Sequence, residues 1–201
     1  MKSSDIFMIS AKADEVEINR GELSQRLGVG REYDDELIRK CRSRLLEVID
    51  YKCSYIRTDI NLSKDNICDF GFMNVDSSAL YKNLYGCREA FVFAVTTGIA
   101  VDRLLAKLSI LSSAEHFVTD AIASAAADSF CGYAAGKMKE SLSCPARFSP
   151  GYADFSLHFQ VPLLRRLDAQ GLLGITLDSA YLMTPVKSIT AIMGIRNEKN
   201  N

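Results

Sequence analysis

Along this chain, apolar side chains recur two positions apart in some stretches and three or four apart in others, and the changes of period predict its elements. Residues 1 to 20 read as extended, and Val16-Glu17-Ile18 alternates as a strand does. Glu22 to Leu27 predicts a short helix closed by Gly28. Gly28-Val29-Gly30 lacks the third glycine and the preceding apolar strand of a dinucleotide fingerprint, so it reads as a turn. Asp34 then caps a helix to about Asp50, with Leu37, Ile38, Cys41, Leu45 and Ile49 along one face.

Cys53 to Leu62 reads as a strand, and Asn66 to Val75 as strand and turn. Ser77-Ser78 cap a short helix through Leu84 that stops at Gly86. Glu89 to Thr97 is the strongest buried strand: apolar, β-branched and aromatic, and closed by Gly98. Helices follow over Ile99 to Leu111 and from Ser112 or Ser113 to about Glu140, with Ser113 as the expected cap. In the second of these, Ala114, Phe117, Val118, Ala121, Ile122, Ala125, Phe130 and Ala134 keep helical spacing, and its many alanines let other backbones approach. Cys144 to Phe155 is a loop, Leu157 to Gln170 a helix, and Gly174 to Met183 with Val186 to Gly194 a pair of strands about Thr184-Pro185. This mixed order predicts one domain over residues 1–201, of α+β or α/β class, and the paired strands at its end favour at least part of the sheet being antiparallel. Residues 1–14 form an extended arm in this reading, and 195–201 a frayed tail.

Composition narrows the classes. With 201 residues, 48% apolar and 24% charged, the chain can bury a core without metal or disulfide. A formal net charge of -1 and the lack of a Lys/Arg block argue against nucleic acid and anionic membrane as partners. Met1 to Ser10 is too short in apolar residues for a secretory signal, and Asp120 and Asp128 interrupt the longest apolar stretch, Phe117 to Ala135. The expected location is the cytoplasm. Cys41, Cys53, Cys68, Cys87, Cys131 and Cys144 form no Cys-x-x-Cys pair, so they read as reduced, largely buried thiols, with no metal site.

Candidate chemistry concentrates in Pro145-Ala146-Arg147-Phe148-Ser149-Pro150-Gly151-Tyr152. The two prolines restrict the backbone, and Gly151 permits positive φ or close approach. Arg147 offers a planar fork for a carboxylate or phosphate, and Phe148 and Tyr152 offer flat surfaces for a ring. Two readings stand: a clamp for a nucleoside or amino acid, or a structural loop with Arg147 in an ion pair. On the long helix, Asp120, Ser124 and Asp128 form one ridge at i, i+4 and i+8, facing either a cationic ligand or solvent. His116 and His158 sit in no metal or triad motif, and no catalytic residue is identified.

Arg147 to Tyr152, a following helix with Leu163-Leu164, the run Gly174-Ile175-Thr176-Leu177-Asp178-Ser179-Ala180-Tyr181-Leu182-Met183-Thr184-Pro185, and Lys187-Ser188-Ile189 together resemble the activation domain of cobalamin-dependent methionine synthase. That domain carries an Arg-Pro-Ala-Pro-Gly-Tyr turn. Thr96-Thr97-Gly98, Asp102 and Asp120-Ala121-Ile122 are similar to its short, free-standing members. The resemblance spans about residues 15 to 194 and is most specific in the last third. It implies an α+β domain, a twisted, mainly antiparallel sheet flanked by helices, with S-adenosylmethionine in a shallow groove beside the sheet, packed over a corrinoid carried by another domain. In that family, cobalt oxidised to Co(II) takes an electron from a flavodoxin-type donor, and S-adenosylmethionine supplies the methyl group that restores methylcobalamin. The cobalt is the nucleophile, so the protein's part is positioning and electrostatics.

Carried onto this chain, the resemblance implies that Arg147 holds the methionine carboxylate and the Ser149 backbone meets the adenine. Gly151 and Tyr152 complete the turn. A direct register places Ser124 at the family's helix acid, whereas Asp128 matches the free-standing members and is taken as the ligand residue. Phe148 replaces the first proline of the turn, and Pro150 keeps the second. No Asp-x-His-x-x-Gly corrinoid motif occurs, so cobalamin is expected only through a partner. The family's further ligand tyrosine beyond the last strand has no counterpart before Asn201. Two functions follow as expectations. One is a binder of S-adenosylmethionine that assists reductive remethylation in trans. Its partners are a corrinoid-binding protein or a methionine synthase lacking its own activation domain, and a flavodoxin-type electron donor. The other is a scaffold module that keeps the fold without the ligand and binds a corrinoid protein or a second copy of itself.

Overall fold

The computed structural model describes residues 5–28 and 34–196. Val29 and Gly30 of the expected turn, and 197–201 of the expected tail, lie outside them. The elements run β1 (Phe7–Ala11), α1 (Arg20–Leu27), α2 (Asp35–Leu46), β2 (Tyr51–Asp59), β3 (Asn61–Leu62), β4 (Ile67–Asp69), β5 (Asn74–Asp76), α3 (Ser78–Leu84), β6 (Cys87–Thr96), α4 (Ile99–Leu111) and α5 (Ser113–Lys139). After a loop and a 3-10 turn (Leu157–Phe159) come α6 (Gln160–Arg166), α7 (Ala169–Leu173), β7 (Thr176–Leu177), β8 (Met183–Thr184) and β9 (Ser188–Arg196).

The main sheet has four strands in the order β1-β2-β6-β9, all paired antiparallel. Strand β6 is central and is covered on both faces, which explains its unbroken apolar run. Phe91, Phe93 and Val95 point into a core shared with Cys41 and Leu45 of α2, Val101 of α4, and Val118, Ile122 and Phe130 of α5. Ala90, Val92 and Ala94 point into a second core with Leu80 and Leu84 of α3, Leu163 of α6, Ala169 of α7 and Phe155. The chain is therefore a single α+β domain with a mainly antiparallel sheet between two helical layers. Small sheets β3-β4-β5 and β7-β8 border it.

Several boundaries differ from the sequence reading. Val16 and Ile18 are buried as the alternation implied, but they lie outside any strand; the strand of this region is β1. Helix α2 ends at Leu46, four residues short of Asp50. Its cap N–H, at Glu47, turns back to Leu45 and Ser43. The cap of α5 is Ser112, one residue before the expected Ser113; its Oγ accepts from Glu115 N–H at 3.3 Å. The helix expected over Leu157 to Gln170 breaks at Asp168, which adopts φ 46°.

The expected strand pair about Thr184-Pro185 does not form. Strand β9 pairs instead with β6, from Thr96↔Ser188 to Cys87↔Arg196. Six consecutive residues of β9, Thr190 to Ile195, are buried, a demand for cover on both faces that a two-stranded hairpin cannot meet. Gly174 to Met183 instead folds on itself: Asp178 Oδ1 accepts from Ala180 and Leu182 N–H, at 2.8 and 2.9 Å, and leaves only the short β7-β8 pair.

Candidate functional site

The turn that the sequence singles out is fastened to the free side of β9. Phe148 N–H donates to Ile192 O and Ile192 N–H to Phe148 O, both at 2.8 Å, forming one antiparallel bridge on the sheet edge. Beyond it Pro150 is buried, and Gly151, at φ 94°, donates to Phe155 O at 2.7 Å. A side chain at 151 would be strained there and would crowd Leu157. Phe155 is fully buried and stacks on Phe148, so the turn carries its own small core.

Asp154 ties the turn to α3. Its carboxylate accepts from Ser77 Oγ at 2.5 Å, from Ser78 N–H and Oγ at 2.8 and 2.7 Å, and from Ala79 N–H at 3.2 Å. The Ser77 and Ser78 hydroxyls, and then the helix N–H groups, hold this carboxyl far below the usual carboxylate range. The sequence reading did not single out Asp154. Its signal was the pair Ser77-Ser78, read only as a local cap.

The turn and α5 enclose an open groove of about 520 Å³, lined by Gly132, Gly136 and Lys139 of the helix and by Arg147, Ser149 and Tyr152 of the turn. Tyr152 leaves 66% of its surface exposed, tilts against the Phe148 ring at 6.4 Å, and forms an aromatic wall. The Ser149 carbonyl accepts from Tyr152 N–H at 3.3 Å, while its own N–H has no bond to another described group. A second cavity of about 350 Å³ adjoins the first at Gly132 and Arg147; its acidic side chains are Glu17, Glu22 and Asp128, of which Glu22 and Asp128 both pair with Arg26.

Arg147 and Asp128 meet where the two cavities join. Arg147 Nη2 lies 3.2 Å from Asp128 Oδ1, and Arg26 Nη2 of α1 lies 2.5 Å from Asp128 Oδ2. All three side chains are about one-third exposed, so each pair contributes at most about 1 kcal/mol to stability. Beneath them, burial pushes the Cys131 thiol up to about 11 against the pull of Arg147.

The ridge on α5 is neither uniformly solvated nor free. Lys187, just before β9, reaches Asp120 Oδ1 and Ser124 Oγ, each at 2.8 Å. Ser124 is thus engaged away from Arg147. Of the five residues taken as ligand-binding, Arg147, Ser149 and Tyr152 line the first cavity, Asp128 lines the second, and Gly151 shapes the turn. Arg26, Lys139 and the two helix glycines were not foreseen.

Cys41, Cys53, Cys68, Cys87 and Cys131 are buried free thiols, and Cys144 is half-buried. No group of three or more His, Cys, Asp or Glu among the described residues is placed to hold a metal ion. His158 Nδ1 sits 2.8 Å from Ser156 Oγ, and neither histidine lines the groove. No helix of the described residues is long and apolar enough to cross a membrane.

A four-stranded antiparallel sheet, a 27-residue alanine-rich helix across it, and an Arg-bearing turn on its edge define an α+β fold with a ligand-sized groove. Among solved structures, that fold is found in the MetH reactivation domain bound to AdoHcy, with a TM-score of 0.72 and 13% identity. The match covers 98% of this chain and 80% of that one. No known family model matches the sequence, and no curated protein does either. The fold implied by the turn and the run from Gly174 is therefore the fold found.

Proposed function

We propose that this chain binds S-adenosylmethionine in the groove between α5 and the Arg147–Tyr152 turn, and assists reductive remethylation of a corrinoid protein in trans. The observation that carries this reading is the position of Arg147, whose guanidinium stands between an aromatic cavity and an acidic one. A ligand with a flat base at one end and a zwitterionic amino acid at the other has matching chemistry. Arg147 would take its carboxylate, Asp128 its ammonium, the Ser149 N–H the adenine edge, and Tyr152 a ring face. A solved structure with this fold has AdoHcy bound, the demethylated counterpart of the proposed ligand.

The corrinoid belongs to a partner in this reading. The sequence has no Asp-x-His-x-x-Gly motif, and neither histidine lines the groove. This chain's part is to hold the methyl donor. The electron donor is proposed to be of the flavodoxin type, and the site of action the cytoplasm. The test is transfer of labelled methyl from S-adenosylmethionine to a purified corrinoid protein under reducing conditions. The proposal expects transfer that depends on this chain and is lost with Arg147→Ala. Equal transfer without the chain contradicts it.

A second reading draws on one observation: Arg147 has a carboxylate partner inside the chain, Asp128. A scaffold module that keeps the fold and has lost the ligand would have such a closed pair. It predicts co-purification with a corrinoid protein, or self-association, with no heat on titration with S-adenosylmethionine.

A further inference from the structure

Two glycines within α5 have no reason inside the chain. Gly132 and Gly136 lie one turn apart in a helix interior, where glycine is disfavoured against alanine. Neither has positive φ, and a Cβ built on either would meet no atom within 4 Å beyond its chain neighbours and the adjoining helix backbone. Other glycines here are explained by their surroundings. A Cβ at Gly194 would come 2.6 Å from Cys87 Sγ, and Gly98 has φ 87°. Internal packing and backbone conformation therefore account for Gly194 and Gly98 but leave Gly132 and Gly136 unexplained.

What lies over them is the groove. Both line the cavity that also holds Arg147, Ser149 and the exposed Tyr152. Gly132 lines the acidic cavity as well, so it sits at the junction beneath Arg147. A side chain at 136 would rise into the floor of the first cavity. One at 132 would stand in the passage between the two.

We infer that Gly132 and Gly136 are specificity-determining residues of the proposed site, leaving bare helix backbone as a floor on which the nucleoside half of the ligand lies. This rests on the proposed function and adds an orientation to it. The base lies flat between α5 and Tyr152, because a π-face packs on any flat apolar surface without needing a hydrogen-bond partner. The amino-acid half passes over Gly132, beneath Arg147, toward Glu17, Glu22 and Asp128. The selected class is long and thin at its middle, with a flat base at one end and a charged amino acid at the other.

The test is a set of three variants, Gly136→Ala, Gly136→Leu and Gly132→Ala, titrated with S-adenosylmethionine and with S-adenosylhomocysteine beside the wild type and Arg147→Ala. Ligand-free Tm is measured for each. Alanine and leucine favour the helix and the space is open, so each variant should raise Tm by about 2–4 °C. Affinity should fall at the same time, about three-fold for Gly136→Ala and about ten-fold or more for Gly136→Leu and Gly132→Ala, the scale of an overpacked contact. A merely structural glycine would move stability and affinity in the same direction. If Arg147→Ala weakens binding while all glycine variants bind within two-fold of wild type, or if they lower the ligand-free Tm, the floor is wrong and the proposed function stands. If the wild type binds neither ligand, both fall.

Discussion

The Asp128 carboxylate of α5 lies 3.2 Å from the Arg147 guanidinium of the edge turn, and its other oxygen is held by Arg26. The contact joins a helix, a loop and the N-terminal segment at the mouth of one groove. Asp128 is therefore shared between two guanidinium groups, and Arg26 holds it beside Arg147.

Asp128→Asn should accordingly separate binding from stability. Both ion pairs are about one-third exposed, so the variant should lose at most about 1 kcal/mol on chemical denaturation. S-adenosylmethionine affinity should fall about ten-fold, or about 1.4 kcal/mol, because the ligand ammonium loses its carboxylate. An unchanged or tighter Kd would show that Asp128 serves only as a counter-ion to Arg147.

Asp154 makes the attachment of the turn pH-dependent. Its folded pKa lies below its unfolded value, which is about 3.9. Its stabilisation is therefore complete above that value and is lost as pH falls through the folded one. Asp154→Asn should destabilise the protein at neutral pH, and the gap from wild type should narrow below about pH 4. Ser77→Ala removes the α3 cap and one partner of Asp154 together, at a cost of about 1–2 kcal/mol. Urea denaturation at pH 7, 5 and 3.5 checks both; a gap that does not change with pH would contradict the role given to Asp154.

Lys187 and Asp120 should respond unequally. The Lys187 side chain is 12% exposed and that of Asp120 44%. Lys187→Ala removes a buried stem and two polar contacts, and should cost about 1–3 kcal/mol. Asp120→Asn should cost less than about 1 kcal/mol. Equal losses on thermal denaturation would contradict this.

The thiols should report burial directly. Burial pushes the Cys68 and Cys131 thiols up to about 11, and raises those of Cys53 and Cys87 as well. Iodoacetamide at pH 7.5 should modify Cys144 first in the native protein, and all six cysteines only after denaturation. Peptide mass spectrometry reads the order; early labelling of Cys131 would mean that the helix beneath Arg147 opens.

Much of the fold was legible because local pattern and tertiary need coincide. The run Glu89 to Thr97 is apolar throughout because both its faces are buried, and Asp34, Gly28 and Ser77 act where their chemistry places them. Pairing was less legible. The sequence between Gly174 and Gly194 shows two extended stretches about a proline, but nothing local says that the second belongs to β6 rather than to the first. Of the site, the turn from Arg147 to Tyr152 was visible in its own residues. Whether Ser124 or Asp128 faces Arg147 was not, since that choice is made by Lys187 and Arg26, which lie 63 and 102 positions from their partners. Gly132 and Gly136 were not singled out, because their place in the site depends on the open groove above them.

The central claim is tested most directly by calorimetric titration of wild type and Arg147→Ala with S-adenosylmethionine. The account predicts saturable binding to the wild type that the substitution weakens by about 1.5–3 kcal/mol, the scale of a charge-assisted hydrogen bond. Equal affinity of the two proteins, or no heat with the wild type in the absence and presence of a corrinoid protein, would contradict it.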